Sequence, residues 1–476
     1  MTQPIARNSR QGRWVLAAAV LGSGMALLDG TVVNIALRNV GESLGATVSQ
    51  LQWVVNAYLL SLASLILVGG SLGDRFGRRR IFMVGITWFA VASALCAVAQ
   101  SPVQLILARL VQGVGAALLT PGSLAMIQAS FRAQDRARAI GQWAGLGGIA
   151  AAVGPLLGGW IVDNASWRWI FWINVPVAAA VLVICAKHVP ETRDPESRRS
   201  FDLLGSGLGA AGLGGLTFAM VQAGVTTTTY VVAAAVLGVL ALGLFLGWEH
   251  RAPRPLVPLH LFGSRVFTAA NAMTFLVYGA LGAVMFFLVL QLQVSTGYSP
   301  LEAGLATIPL TVALLLLSSR SAMLAGRIGP RLQMSAGPLL CGVGVLLLRE
   351  VDADTSYLTG VFPGITVFAL GLAALVAPLT SSVLAAAPDR YAGTASGINN
   401  AVARTGSLFA VAALPAAVGI TGDDYARAST FTSGYAQALL ICSVLLVLGG
   451  AVSFVGLRAG GAAEPGGTTE PVEAPR

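Results

Sequence analysis

Apolar runs of about twenty residues follow one another along the chain, separated by short polar breaks. They lie near residues 14–37, 51–70, 81–99, 102–129, 139–162, 169–186, 203–224, 230–248, 267–292, 301–317, 332–348, 357–386, 392–420 and 435–457. At 1.5 Å per residue, ~20 helical residues cross a hydrocarbon core of ~30 Å. The pattern predicts fourteen transmembrane helices, with the narrowest break at Gln100 and Ser101, between the third run and the fourth.

Composition turns the pattern into an exclusion. Of 476 residues, 55% are hydrophobic and 10% charged, whereas a soluble domain carries about 25% charged residues to clothe its core. The chain reads as an all-α membrane protein. Its glycines sit inside the apolar runs, where small residues let membrane helices approach closely. Cys96, Cys185, Cys341 and Cys442 are scattered singly through apolar segments, and His188, His250 and His260 fall between them without metal-binding spacing. No metal and no cofactor is expected. The spans hold no nucleophile–base pair, so a membrane enzyme is not expected, and no ligand cluster marks a receptor.

The net charge of +9 reads as topology, not as a nucleic-acid partner. An even number of spans puts both termini on one side. With the N-terminus inside, 23 of the 29 Lys and Arg are cytoplasmic, only Arg38, Arg168, Arg349 and Arg427 are outside, and Arg109 and Arg404 fall within spans. This is the positive-inside bias of membrane proteins. The polar start ending at Arg13 leads straight into the first run, which is expected to be an uncleaved anchor. Arg outnumbers Lys 28 to 1, as high-GC bacterial genomes favour. The expectation is a multi-pass monomer in a bacterial cytoplasmic membrane.

The polar breaks contain an echo. Arg75-Phe76-Gly77-Arg78-Arg79 follows the second span, and Arg327-Ile328-Gly329-Pro330-Arg331 follows the tenth. Taken as equivalent points, they divide the chain into a six-helix bundle (1–187), a linker with helices 7 and 8 (188–266), a second six-helix bundle (267–458) and a tail (459–476) expected to be disordered. Two related bundles around a midplane site are a common plan for carriers.

Charge inside the bilayer marks function by default, because it costs about 2.5–3.5 kcal/mol at a helix centre. Asp29 is the only carboxylate well inside a predicted span. Counted along its helix it lies ~22 Å from the cytoplasmic end, and Arg109 on the fourth helix falls at matching depth. Desolvation favours the neutral carboxyl and a nearby cation favours the charged one, so an Arg109 that moves toggles proton binding at Asp29. Gln112, one turn beyond, is placed to hold either partner. Arg404, one turn after Asn399 and Asn400, is expected to bond carbonyls or line a polar cavity wall.

Several stretches resemble a known family. Gly70-Ser71-Leu72-Gly73-Asp74-Arg75-Phe76-Gly77-Arg78-Arg79 is similar to the loop signature of the major facilitator superfamily. Arg109-Leu110-Val111-Gln112-Gly113-Val114-Gly115 resembles its helix-4 motif, whose arginine that resemblance implicates in proton transfer. Gly154-Pro155-Leu156-Leu157-Gly158-Gly159 resembles the helix-5 antiporter motif of exporters. Leu28 to Leu37, Trp167 to Pro176 and Ala395 to Asn400 look like the fourteen-span drug:proton antiporters, so the resemblance covers nearly the whole chain. In one departure, Arg38 stands where the helix-1 motif has Pro, which bears on the external gate. The resemblance implies the major facilitator fold, two six-helix bundles plus two inserted central helices.

On these grounds the expected function is proton-coupled export of lipophilic drugs or antibiotics by alternating access, with no cofactor beyond the proton gradient. The alternative is proton-coupled transport of a small metabolite on the same fold. Gly70, Asp74, Arg75, Gly77, Arg78 and Asp135 form the expected cytoplasmic gate, latched by an Arg78–Asp135 bridge. Gly154, Pro155, Gly158 and Gly159 are expected to let another helix pack closely and seal the path. Gln52, Asn56, Tyr58, Asn271, Phe275, Tyr278, Phe286, Gln291, Asn400 and Arg404 are the candidate substrate-lining residues.

Overall fold

The computed structural model describes residues 5–193, 202–253, 255–388, 391–422 and 424–457. The tail expected at 459–476 lies outside them. Fourteen long helices follow in order: α1 (Arg10–Leu44), α2 (Val48–Phe76), α3 (Arg78–Ala97), α4 (Pro102–Ser130), α5 (Ala133–Asn164), α6 (Trp169–His188), α7 (Leu203–Val221), α8 (Thr228–Arg251), α9 (Arg265–Val294), α10 (Pro300–Ile328), α11 (Pro330–Leu348), α12 (Tyr357–Ala385), α13 (Ala392–Ala417) and α14 (Ala428–Gly456). Thirteen are long and apolar enough to cross a membrane. The remaining one, α13, has its hydropathy lowered by Thr394, Ser396, Asn399, Asn400 and Arg404, yet its 26 residues reach ~39 Å.

The ends follow local chemistry. Thr47 and Gln50 form a reciprocal capping box at α2, and Ser299 and Glu302 form another at α10, where Pro300 starts the helix. Ser101 caps α4 just ahead of Pro102, which explains how one short break separates two spans. Several helices outrun their apolar runs: α1 extends to Leu44, α10 to Ile328 rather than 317, and α14 begins at Ala428 rather than 435. Helical hydrogen bonding continues where side chains already meet water or headgroups, so hydropathy alone underestimates the ends.

Both echo sites are single-glycine corners. Gly77 (φ 110°) joins α2 to α3 and Gly329 (φ 82°) joins α10 to α11, each ending one helix and starting the next. Only glycine adopts such positive φ without strain. Packing repeats with the corners: α1 lies on α5 as α9 lies on α13, and α3 on α4 as α11 on α12. Two six-helix bundles result, with α7 and α8 as the inserted pair.

The bundles meet along two seams, α2 with α13 and α5 with α10. Helix α7 covers the first, with Phe218 against Trp53 at 6.4 Å between centroids and Ser49 bonded to Gln222 at 3.3 Å. Helix α8 packs mainly on α7 and is otherwise almost wholly exposed.

Candidate functional site

The helix ends define an arginine-rich face, bearing Arg75, Arg78, Arg79 and Arg80, and an arginine-poor face opposite. Between them, nearer the arginine-poor face, Asp29 of α1 and Arg109 of α4 form a direct ion pair, each side chain 1% exposed. Arg109 Nη1 also donates to Gln112 Oε1 (2.7 Å) and Nε donates to the Val54 carbonyl (3.1 Å). Its guanidinium stacks 4.3 Å from the Tyr58 ring centroid and 5.8 Å from that of Phe171. Gln112 Nε2 donates to the other Asp29 oxygen (2.9 Å) and to Ser93 Oγ (2.8 Å). Asn174 Nδ2 donates to Ser93 (2.9 Å) and reaches Asp29 Oδ1 at 3.5 Å.

Helices α1, α3, α4 and α6 thus converge on one carboxylate whose two oxygens are both occupied. The matched depths inferred from helix rise do bring Asp29, Arg109 and Gln112 together. Ser93 and Asn174 completed the cluster without being singled out from sequence. Asn174 stood inside the quoted 167–176 stretch, whereas Ser93 gave no signal beyond a hydroxyl in an apolar run.

At the arginine-rich face the expected Arg78–Asp135 bridge is not formed in this conformation. Arg78 pairs instead with Asp74 one helical turn earlier, at 2.9 Å. Asp135 accepts the backbone N–H of Arg7 (3.1 Å), in a segment where Ile5 pairs with Phe131 as an isolated bridge. The residue that spans the gap is Glu191, just after α6. Its carboxylate accepts the first-turn N–H groups of Arg79 and Arg80, both at 3.2 Å, and lies 3.8 Å from Arg79 Nε. A Cβ on Gly77 would lie 2.6 Å from that carboxylate, so the glycine serves both the corner and the close approach. Arg75 lies over the Phe76 ring, 4.9 Å from its centroid, and Gly70 has ordinary space beside Pro121. A charge at a helix N-terminus contributes about 0.3–1 kcal/mol. Glu191→Gln should therefore destabilise the purified protein by that modest amount, read as a small drop in its unfolding midpoint, and Asp135→Asn should not reproduce the loss through Arg78.

The bundles are bonded together at the arginine-poor face. Gln52 donates to the carbonyls of Val411 (2.8 Å) and Ala412 (2.9 Å), Gln293 to that of Ile35 (2.9 Å), and Tyr425 to that of Ala46 (2.9 Å). Arg38 donates to the Gln293 carbonyl and pairs with Glu42 at 2.8 Å, so the residue that departs from the motif ties α1 to α9. Asp163 accepts from Ser299 Oγ and Leu301 N, both at 3.0 Å. Here Gly159 meets the backbone of α10, and Gly304 meets the Pro155 carbonyl, while Gly154 and Gly158 nest against Thr31 and Val32 of α1. Close packing at the expected glycines is present, and it closes the arginine-poor end. Among the described residues, no hydrogen bond joins the two bundles at the arginine-rich end.

The candidate lining residues divide. Tyr58 belongs to the ion-pair cluster, its hydroxyl on the Ala26 carbonyl at 3.2 Å. Gln52 holds the closed end, and Gln291 is buried in its own bundle, bonded to the Val351 carbonyl and Thr432 (both 2.9 Å). Phe286 is core, edge-on to Phe287 at 5.4 Å. Asn271 accepts from Asn399 (3.1 Å) and donates to the Phe267 carbonyl (2.9 Å). None of these five lines open space in this conformation. Phe275, Tyr278, Asn400 and Arg404 retain exposure, and Asn56 is buried with both amide atoms unpartnered.

The comparisons agree with this architecture. A model of the Major Facilitator Superfamily matches residues 19–411. The chain is 35% identical over 402 residues to the multidrug resistance protein Stp of Mycobacterium tuberculosis, covering 84% of this chain and 74% of that protein. It is 35% identical over 427 residues to the methylenomycin A resistance protein of Bacillus subtilis (88% and 91% covered). With the tetracenomycin C resistance and export protein of Streptomyces glaucescens it shares 32% over 409 residues (84% and 74%). Among solved structures, an auto-inhibited POT-family peptide transporter superposes with TM-score 0.71 at 15% identity, covering 96% of this chain and 99% of that one. A D-xylose–proton symporter gives 0.63 at 16% identity (91% and 97%). Two six-helix bundles meeting along two seams, a matching family model over most of the length and relatives above 30% identity named as multidrug or antibiotic resistance and export proteins lead to one conclusion: the chain belongs to the major facilitator superfamily and is a multi-pass membrane transporter.

Proposed function

We propose that the protein is a proton-coupled antiporter that exports lipophilic drugs or antibiotics across a bacterial cytoplasmic membrane, with its arginine-rich face and both termini inside. The buried Asp29–Arg109–Gln112 cluster carries this reading. An ionised pair in the membrane interior is costly unless it works, and here a proton has a defined effect. Protonated Asp29 becomes a donor facing the donors of Arg109, Gln112 and Asn174, so the pair must open. Gln112 already bonds both partners, its amide on Asp29 and its carbonyl on Arg109, and by turning over can offer the carbonyl to the protonated acid.

The positive-inside bias supports the orientation. The closed end then faces outward, and the protein stands ready to receive substrate from the cytoplasm. Alternating access would break the outer ties of Gln52, Arg38, Gln293 and Asp163 while closing the inner end. The names of the relatives support a drug or antibiotic as cargo.

Everted vesicles with an acidified lumen test both coupling and direction. Adding an exported compound should drive it inward and release protons, seen as dequenching of a trapped acridine dye only when the protein is present. A proton-coupled importer gives no dequenching with substrate on that side, and that result would remove the export reading.

A further inference from the structure

Arg404 is the unbalanced charge in the interior. It lies ~18 Å along α13 from the helix start, half-buried, and makes no hydrogen bond or ion pair with any described residue. Carbonyl bonding, its expected structural role, is therefore absent. The other two charges singled out within the spans, Asp29 and Arg109, neutralise each other. Among the described residues, the interior between the bundles thus carries a positive charge at Arg404 that no acid pairs with.

Its position is set by register. Gly397, Arg404, Leu408 and Val411 share one face of α13. That face is turned to α2, because Leu67 packs on Gly397 and Gln52 bonds the Val411 carbonyl. The helices run antiparallel, so Asn56, one turn from Gln52, falls at the level of Leu408, one turn from Arg404. Asn56 is completely buried, and neither its Nδ2 nor its Oδ1 has a partner. Buried amides are seldom left so. Asn400 stands exposed one turn away on the other side of Arg404. Two observations on facing helices, an unpaired guanidinium and an orphaned amide, point at one place on the α2–α13 seam.

We propose that Arg404, with Asn56 and Asn400, forms an anion-recognition site, and that the cargo is a lipophilic compound with an acidic group bound as its anion. The guanidinium fork matches a carboxylate or ionised phenol, the amides supply further donors, and the apolar helix walls take the hydrocarbon body. A cationic cargo would face an unscreened like charge. Tyr58, whose ring lies under Arg109, stands two residues from Asn56 on α2, so that helix contributes to both the anion site and the proton site. The inference rests on the export reading and adds the charge of its substrate.

Equilibrium binding to the full-length protein in lipid nanodiscs tests it without a proton gradient. Three matched fluorescent probes serve: dansylglycine (anion), dansylglycinamide (neutral) and dansylcadaverine (cation). The wild-type protein should prefer the anion to the neutral amide by about tenfold, as for a hydrogen bond to a charged group, and bind the cation least. Arg404→Gln should erase the preference, bringing the anion and the neutral amide to the same affinity, and Arg404→Lys should retain most of it. A wild-type protein that binds the anion no better than the amide overturns the proposal, as does an Arg404→Gln variant with unchanged preference. Anion preference without proton exchange in vesicles would leave this site standing and remove the antiport reading instead.

Discussion

Asp29→Asn should reduce pH-gradient-driven export at least about a hundredfold, equivalent to ~2.7 kcal/mol, while the protein stays folded and still exchanges substrate. The expectation follows from the donor census around that carboxylate. Arg109 Nη1, Gln112 Nε2 and, more distantly, Asn174 Nδ2 all point at it, and no described group accepts from it. Asparagine presents an NH2 group permanently, two donors where the protonated acid presents one hydroxyl, but it cannot release a proton. Substrate counterflow in proteoliposomes without a gradient should persist, and accumulation driven by a gradient should vanish. Arg109→Ala acts differently, since it strands a buried carboxylate at a cost of about 3–5 kcal/mol and should appear first as lost stability. Undiminished gradient-driven export by Asp29→Asn would remove the carboxylate from the coupling step.

The Asp29–Arg109 meeting was legible because helix rise is fixed and both residues lie in spans with well-marked ends. The echo of Arg75/Gly77/Arg79 in Arg327/Gly329/Arg331 was legible for a similar reason, since a one-residue corner needs glycine at that place. The Arg78–Asp135 pairing failed where periodicity stops. Asp135 is taken by the N-terminal segment, and Glu191 arrives from after α6, neither of which any local pattern announces. Half of the candidate lining residues are engaged elsewhere in this conformation, and the reason lies in the solvent itself. In water, polarity marks the outer face of a helix, but in lipid both faces are apolar, so an amide such as Gln291 or Gln52 reveals nothing about its direction. Arg404 was visible as a buried cation, yet its lack of partners appears only once the neighbouring helices are in place.

Gly159→Leu should break the closure of the arginine-poor end and depress transport by about tenfold or more, as overpacking costs about 1–3 kcal/mol. A Cβ at this position would lie 2.6 Å from both the Pro300 carbonyl oxygen and Leu301 Cα. Those are main-chain atoms in the first turn of α10, so the strain cannot be relieved by turning a side chain. The seam must part, and Asp163 then loses the Ser299 and Leu301 donors that it now accepts from at 3.0 Å. A cysteine pair replacing Asp163 and Ser299 reports this directly. It should cross-link readily in the parent, poorly with Gly159→Leu, and to an intermediate degree with Gly159→Ala. Gly148→Leu is the control on the same helix, because a Cβ there meets nothing within 4 Å, and both cross-linking and transport should survive it. Were Gly159→Leu to cross-link and transport like the parent, the glycine contact between α5 and α10 would not be what closes this end.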